Sequence, residues 1–335
     1  MTMQEIGRIL GVSKVTVSKA LNNRPGVSDE TREKIRSTAI RMGYLTPENS
    51  TGPDVGVLIP SRFFAPDSYY CMLYKGLVEK LNGAGCTALL ELLTETMETE
   101  LRLPNLLLSR HIDVLVLLGE PRTEYIQAVT AQDIPVIFLD FYDGDADNDA
   151  IIGDSTYGTY RLTGHLIAGG HTKIGFVGEP LSTSSIMDRY LGFSRALICH
   201  RIPEHRKWVI PDRDEHGNTI EIILPDELPT AFVCSCDLTA CLLMDALAQK
   251  GLRVPEDISV VGFDDFCGGM KPSVPLSTFR IDHEGMIRKT VQIILKRAVE
   301  KQRIGGRVVI GGEPVYRDSD RKLVQKNDSR TGDRQ

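Results

Sequence analysis

Short apolar runs alternate with longer helical patterns along most of the chain, and this alternation starts twice. In the first series, strands are predicted at 55–59, 88–92, 114–118 and 136–139, with helices at 72–81 and 124–131. In the second series, strands at 173–177, 231–234 and 259–263 alternate with helices at 159–168, 188–199 and 238–250. Units of this kind form parallel sheets covered by helices. The sequence therefore predicts two similar open α/β lobes over residues 55–319.

Polar side chains stand close to the ends of several predicted strands, where open parallel sheets bind their ligands. Asp and Arg at such positions can bind sugar hydroxyls in a bidentate manner. A single Asp after a strand is also a common N-cap of the next helix, so both interpretations stand for Asp140 and Asp264. The candidates for a ligand site in the cleft are Ser61, Asp140, Arg189, Asp237 and Asp264.

Residues 1–45 contain three short helical patterns with their own start signals. Thr2 and Glu5 form a capping box ahead of the first helix, and Gly11 ends that helix. Ser13 caps the second helix and Ser28 caps the third. Two helices joined by a tight turn and braced by a third are the helix-turn-helix arrangement. The alternative is a three-helix cap with one solvated face.

The second helix of this head carries side chains suited to reading DNA. Lysine donates to guanine acceptors, serine is versatile, and valine can touch a thymine methyl group. Hydroxyl and amide groups near the helix ends can hold phosphates and so fix the register. The first 50 residues hold eight Lys and Arg against five Asp and Glu, so this end is basic while the rest is acidic. The predicted base contacts are Lys14, Val15, Ser18 and Lys19, and the predicted phosphate contacts are Ser13, Thr16 and Asn22.

The string GVSKVTVSKALNNRPGVSDETREKIRSTAIRMGY, residues 11–44, resembles the head of the lactose-repressor (LacI/GalR) family. Strings in the body, such as HLIAGGHTKIGFVG and VPEDISVVGFDD, are also similar to that family, so the resemblance runs to about residue 319. It implies that Lys14, Val15 and Lys19 read bases. It also implies a two-lobed domain of the type I periplasmic-binding-protein kind, in a homodimer that binds a pseudo-palindromic double-stranded DNA operator. The expected function is transcription regulation, as a repressor, under control of a small polar effector.

The family resemblance assigns effector contacts to Asp140, Arg189, Asp264 and the pair Cys236-Asp237. Arg213 and His283 lie where some relatives place aromatic pocket residues, and if both face the cleft they favour an acidic or phosphorylated effector. The effector is expected to be a sugar, a sugar derivative or a sugar phosphate. Several aromatic residues are either partners for a sugar face or parts of the core, namely Phe63, Phe64, Tyr69, Tyr70 and Tyr142.

The linker departs from the family pattern. Only ten residues, 45–54, separate Gly43-Tyr44 from the first strand, which is about half the family's usual length. We therefore expect no hinge helix, reading in the major groove only, and at most about 33–36 Å of reach. The predicted domains are a head at 1–45, a linker at 46–54, the effector and dimerisation domain at 55–319, and a disordered tail at 320–335.

Other features of the sequence bear on its location in the cell and on alternative functions. The seven cysteines are odd in number and follow no signal peptide, which indicates reduced thiols in a cytoplasmic protein without metal or cofactor. No apolar run is long enough to span a membrane. A transport solute-binding protein would need an export signal, and an enzyme would have to use Asp140 and Asp264 as an acid/base pair. A further alternative is a sugar sensor whose head has lost DNA binding.

Overall fold

The computed structural model describes residues 2–21, 24–41, 52–109, 112–144, 148–214, 217–300 and 306–323. The chain divides into two compact units, each made of two chain segments. The first unit comprises Met1–Ile152 and Asp282–Ile310 and contains the head and one lobe, here the N-lobe. The second comprises Gly153–Ile281 and Gly311–Gln335 and is here the C-lobe.

The head is a helix-turn-helix built as the sequence predicts. The capping box of Thr2 and Glu5 is present, and Gly11 ends the first helix with φ 67°. The turn is tight, because a Cβ on Gly7 would lie only 2.6 Å from the carbonyl oxygen of Val12. The three helices are α1 (Met3–Leu10), α2 (Lys14–Leu21) and α3 (Asp29–Arg41). They enclose a small apolar core of Ile6, Val17, Ala20, Leu21, Ile35 and Ala39.

The N-lobe is built on a six-stranded sheet. Its strands are β1 (Asp54–Pro60), β2 (Thr87–Leu93), β3 (Val114–Leu118), β4 (Val136–Leu139), β5 (Asp149–Gly153) and β11 (Arg307–Ile310). Their order is β11-β5-β4-β3-β1-β2, and the pairings from β2 through β5 are parallel. Its helices are α4 (Tyr69–Gly83), α5 (Glu95–Thr99), α6 (Asn105–Leu108), α7 (Thr123–Thr130) and α11 (His283–Val299).

The C-lobe repeats this plan on a smaller scale. Its parallel sheet has the order β7-β6-β8-β9, and an antiparallel pair joins β10 to β12. The strands are β6 (Ile174–Val177), β7 (Val209–Ile210), β8 (Ala231–Cys234), β9 (Ser259–Val261), β10 (Thr278–Ile281) and β12 (Gly312–Val315). The helices are α8 (Ser155–Ala168), α9 (Ser184–Cys199) and α10 (Asp237–Gln249).

The central strands are buried on both faces, which explains why they appear in the sequence as continuous apolar runs. Every residue of β3, β4, β6 and β8 is buried. Each sheet contributes to its own apolar core, around Phe138 in the N-lobe and around Phe232 in the C-lobe. The cores hold the strand ends at fixed positions, and the candidate ligand-binding side chains follow those ends.

The prediction of a disordered tail at 320–335 was wrong for residues 320–323. Asp320 accepts a hydrogen bond from Ser277 and lies 2.7 Å from His165 Nε2, so its side chain is held in the C-lobe. The backbone N–H of Leu323 donates to the carbonyl of Gly169 at 2.7 Å. Residues 320–323 are therefore part of the fold, because their polar groups complete hydrogen bonds within it. The rest of the predicted tail, 324–335, the end of the predicted head, 42–45, and most of the predicted linker, 46–51, lie outside the described residues.

Over the ranges given above, no helix combines the length and the apolar character that a membrane span requires. The seven cysteines are all free thiols. Within the described part of the chain, His, Cys, Asp and Glu residues form no group of three or more that could hold a metal ion.

Candidate functional site

The second helix of the head presents its polar side outward. Val17, Ala20 and Leu21 are buried against the other two helices. Lys14 and Lys19 are exposed, and the exposed fraction of Val15 is 63%. An exposed valine between lysines adds nothing to the core of the head, but it suits contact with the methyl group of a thymine. Ser18 is half-buried on the same helix.

The hydroxyl groups at the start of α2 hold one another. Ser13 Oγ accepts a hydrogen bond from the backbone N–H of Thr16 at 3.0 Å, and the two hydroxyl oxygens lie 2.8 Å apart. Ser13 therefore caps the helix, as the sequence predicts. Ser13 is exposed, so this end of α2 remains open to a phosphate. Asn22, the remaining predicted phosphate contact, lies outside the described residues.

Two arginines of α3, which the sequence analysis did not identify, hold the other end of α2. The Arg32 guanidinium donates to the carbonyls of Ala20 at 3.2 Å and Arg24 at 3.0 Å. The Arg36 guanidinium donates to the carbonyl of Leu21 at 3.3 Å. These carbonyls belong to the end of the helix and to the loop after it, where intrahelical donors are missing. The i,i+4 spacing of Arg32 and Arg36 on one face of α3 was the available signal.

In the C-lobe, Arg189 and Asp264 form a buried ion pair. Arg189 Nη2 lies 2.9 Å from Asp264 Oδ1, and the exposed fractions of the two side chains are 7% and 8%. The guanidinium also donates to the carbonyl of Ser235 and lies 4.1 Å from the centroid of the Phe263 ring. Asp264 has φ 99°, a backbone conformation that Asp tolerates better than most residues. The structure thus brings two predicted site residues together beside the ring of Phe263.

Asp237 was wrongly predicted as an effector contact. Its side chain is 1% exposed, and both of its carboxyl oxygens have protein partners. The hydroxyl of Thr278 donates to Oδ1 at 2.6 Å, and the backbone N–H of Phe266 donates to Oδ2 at 2.8 Å. A Cβ at Gly262 would lie 2.1 Å from Oδ1, so the carboxyl group is packed against the backbone. Burial raises the pKa of Asp237 to about 8. This residue ties α10 to the loop after β9.

Arg213 lies in the C-lobe beside the turn that follows β8. Its Nη2 is 3.9 Å from the thiol of Cys236, and its Nε is 3.5 Å from Asp212 Oδ1. Asp212 also accepts hydrogen bonds from the hydroxyls of Ser235 at 2.8 Å and Thr239 at 2.6 Å. The cation is thus placed at the carboxyl end of the C-lobe sheet, on the same turn that Arg189 contacts.

At the carboxyl ends of the N-lobe strands, a carboxylate lies beside aromatic rings. The hydroxyl of Tyr70 donates to Asp140 Oδ2 at 3.1 Å, and Asp140 has φ 72° directly after β4. The rings of Phe63 and Tyr70 lie 5.2 Å apart. Gly119 follows β3 with φ 81°, and a Cβ there would approach both rings to about 3.1 Å. A glycine is therefore needed where these rings pack over the strand end.

The two remaining predicted effector contacts, Ser61 and His283, lie in the N-lobe. Ser61 is exposed and begins a short 3-10 helix, Ser61–Phe63, directly after β1. His283 is the first residue of α11, and its ring lies 5.3 Å from that of Tyr69 in an edge-on arrangement. His283 belongs to the N-lobe and Arg213 to the C-lobe. Of the other aromatic candidates, Phe64 packs on Tyr74 and Tyr142 lies under the guanidinium of Arg307.

A helix-turn-helix head on two lobes of this kind defines a DNA-binding regulator with a ligand-binding domain. Residues 2–47 match the family described as bacterial regulatory proteins, lacI family, and residues 163–319 match a periplasmic binding protein-like domain. The chain thus joins a DNA-binding domain of the LacI family to a periplasmic-binding-protein-like ligand domain. It is a DNA-binding transcriptional repressor, and its relatives are regulators rather than enzymes.

Curated relatives agree with this assignment, and solved structures share the fold. The HTH-type transcriptional repressor PurR of Haemophilus influenzae strain PittEE is 28% identical over 312 residues, which cover 90% of this chain and 92% of the relative. PurR of Vibrio cholerae serotype O1 strain M66-2 is 25% identical, covering 97% and 99%. Among solved structures, a CelR–cellobiose complex has a TM-score of 0.67 at 22% identity, covering 95% of this chain and 99% of that one. The lac repressor dimer bound to operator and ONPF has a TM-score of 0.65 at 24% identity, covering 96% and 99%.

Proposed function

We propose that this repressor is controlled by a sugar or a sugar derivative that polar side chains at the strand ends bind. In the N-lobe these side chains are Asp140 and Tyr70, and in the C-lobe they are Arg189 and Asp264. The observation that carries the proposal is the Arg189–Asp264 pair, fixed at 2.9 Å over the ring of Phe263. A guanidinium beside a carboxylate offers donors and acceptors to neighbouring hydroxyl groups, and the buried ring of Phe263 holds the guanidinium in place.

Two structural relatives support a sugar effector by their own ligands. One is the CelR complex with cellobiose, and the other is a LacI-family regulator from Enterococcus faecium with bound ribose, which has a TM-score of 0.66 at 22% identity and covers 81% of this chain and 100% of that one. Arg213 adds a cation to the C-lobe site, beside Cys236. A sugar phosphate is therefore one arm of the test, next to neutral sugars.

The effector proposal is tested by thermal unfolding of the full chain with ribose, cellobiose, glucose 6-phosphate and adenine. A sugar that binds raises the melting temperature in proportion to ln(1 + [L]/Kd), and Tyr70→Phe and Asp140→Asn should reduce that rise. Tyr74→Phe is the matched control, since Tyr74 lies on the same helix and packs on Phe64. If adenine alone raises the melting temperature, or if the two variants respond to the sugar like the wild type, the proposal is wrong.

We further propose that the repressor binds its operator as a homodimer, with one head in each half of a pseudo-palindrome. Lys14, Val15, Ser18 and Lys19 are the proposed base contacts. The supporting observation is that Val15 and the two lysines are exposed, whereas Val17, Ala20 and Leu21 of the same helix are buried.

The DNA proposal is tested on a duplex selected from a random library with the wild-type chain. Lys14→Ala or Lys19→Ala should weaken binding about tenfold and relax the base preference at one position of each half-site. Lys75→Ala, a change of the same charge on an exposed residue of α4, should leave binding unchanged. If no duplex binds even at low salt, the chain is a sugar sensor whose head has lost its function.

A further inference from the structure

The head contacts the N-lobe at the last turn of α4. Helix α3 lies against α4, and both belong to the first unit. Lys80 Nζ donates to Glu33 Oε1 at 2.6 Å, joining the two helices by an ion pair. The guanidinium of Arg36, which is 4% exposed, donates to the carbonyl of Ala84, the residue that caps α4. The contact therefore combines a partly exposed ion pair with a buried, charged hydrogen bond.

Arg36 holds the ends of two helices at once. Its Nη1 donates to the carbonyl of Ala84 and its Nη2 to the carbonyl of Leu21, the last residue of α2. Carbonyl groups at a helix C-terminus lack intrahelical donors and carry the negative end of the helix dipole. One buried cation thus connects the end of α4 to the end of the DNA-reading helix.

The chain enters the N-lobe at the same corner. Gly85 follows the cap of α4 with φ 78°, and its carbonyl accepts a hydrogen bond from the backbone N–H of Gly52 at 3.1 Å. A Cβ on Gly52 would lie 2.6 Å from this carbonyl oxygen. The segment that precedes β1 and the third helix of the head are therefore both fixed to the last turn of α4.

The opposite end of α4 carries a residue of the proposed effector site. Tyr70 lies in its first turn and donates to Asp140. The helix has 15 residues, so about 20 Å separate its two ends. Its inner face is buried along the whole length through Leu73, Leu77 and Leu81. A packed helix of this kind moves as one body, so a displacement at Tyr70 is carried to Ala84.

We propose that α4 couples the effector site to DNA reading, with Arg36 as the joint between α4 and α2. A shift of α4 at the Tyr70–Asp140 end changes the position of Ala84, and through Arg36 that of the Leu21 carbonyl. Direct docking of the head then couples the two sites through α3 and α4, so that the coupling does not depend on the linker. The proposal rests on the proposed function, because it places the effector at Tyr70 and Asp140.

Docking is tested by amide hydrogen exchange of the full chain. Arg36→Met should speed exchange in α3 about tenfold, since a buried charged hydrogen bond is lost. Lys80→Glu should speed it about twofold to fivefold, and the exchanged pair Glu33→Lys with Lys80→Glu should restore the wild-type rate. Lys75→Glu is the matched control on the exposed side of α4. Exchange in α3 that is the same in the wild type, Arg36→Met and Lys80→Glu would show that the head does not dock.

Coupling is tested on the selected duplex, without any sugar, by a double-mutant cycle between Tyr70→Phe and Arg36→Met. If α4 couples the two ends, Tyr70→Phe changes the duplex affinity about threefold or more in the wild type and much less in Arg36→Met. If the two substitutions change the duplex affinity independently, so that their effects multiply, the proposal is overturned. Failure of every sugar to raise the melting temperature would reject the effector class, while exchange and the cycle would still report on docking and coupling.

Discussion

Three aspartates near strand ends have three different surroundings, and the sequence alone does not distinguish them. Asp264 pairs with Arg189, and Asp140 accepts from Tyr70, as expected for members of a polar site. Asp237 instead packs against Gly262. Each follows an apolar run, so the sequence predicts their position on the sheet but not the direction of their side chains. That direction depends on Thr278 and on the loop after β9, which are distant in the sequence.

The buried carboxyl group of Asp237 should make stability depend on pH. Its pKa is raised to about 8 in the folded chain, whereas an unfolded Asp titrates near its ordinary value of 3.8. Between these values the native state binds more protons than the unfolded state, so this group makes stability fall as the pH rises. Asp237→Asn should flatten that part of the profile, measured by urea unfolding from pH 5 to pH 8. An unchanged slope would show that Asp237 is ionised throughout this range.

Removing one member of the Arg189–Asp264 pair should cost more than removing both. Arg189→Met leaves a buried carboxylate unpaired and should lower the free energy of unfolding by about 3–5 kcal/mol. Adding Asp264→Asn removes the charge and should recover part of this loss, since Asn tolerates the positive φ at this position. The measurement is denaturant unfolding of the three proteins. Equal losses in the single and double variants would mean that the unpaired carboxylate of Asp264 does not destabilise the folded chain.

At the scale of elements, buried strands and long helices were predictable, because apolar runs and helical periodicity do not depend on distant partners. Strands β3, β4 and β8 were predicted with the bounds that the structure has. Helix α11 was not among the predicted elements although its sequence carries the signal, with Met286, Ile287, Val291 and Ile294 buried on one face. The edge strands β11 and β12 are short and mostly exposed or half-buried, so their patterns are weak.

The end of the reading helix should depend on Arg32. Its guanidinium donates to carbonyls in α2 and in the loop after it, so Arg32→Met leaves several acceptors without this donor. We expect the head to be destabilised by about 1–3 kcal/mol and duplex affinity to fall, while the lobes unfold as before. Differential scanning calorimetry and a duplex titration measure the two effects. Lys34→Met is the control, because Lys34 lies on α3 and forms an exposed ion pair with Glu30 of the same helix.

At the scale of the whole molecule, the sequence predicted two lobes but not which segments build them. Residues 282–310 return to the first unit and residues 311–323 belong to the second. Sequence periodicity shows that a segment is a helix or a strand, but it does not show which sheet the segment joins. The family resemblance identified residues of both candidate sites. It did not identify Tyr70 as the partner of Asp140 or the two arginines behind α2, because these contacts join residues that are distant in the sequence.

Truncation tests how much residues 311–323 stabilise the C-lobe. A chain that stops after Leu323 keeps Asp320 and its bonds to His165 and Ser277, so its melting temperature should equal that of the full chain. A chain that stops after Ile310 loses β12 and this attachment, and the C-lobe should unfold at a lower temperature. Thermal unfolding followed by circular dichroism measures both. Equal melting temperatures for the two truncations would show that residues 311–323 add no stability.

The interleaved order of the segments affects how the protein is made on the ribosome. When residue 281 has been added, neither unit has all of its strands, since β11 and β12 are still to be translated. Single domains normally fold as their sequence emerges, N-terminal ones first. Here the nascent polypeptide exposes unfinished sheet edges until close to the end of synthesis. Messages cut short, or rare codons before residue 307, should therefore yield products that need chaperones and that proteases remove.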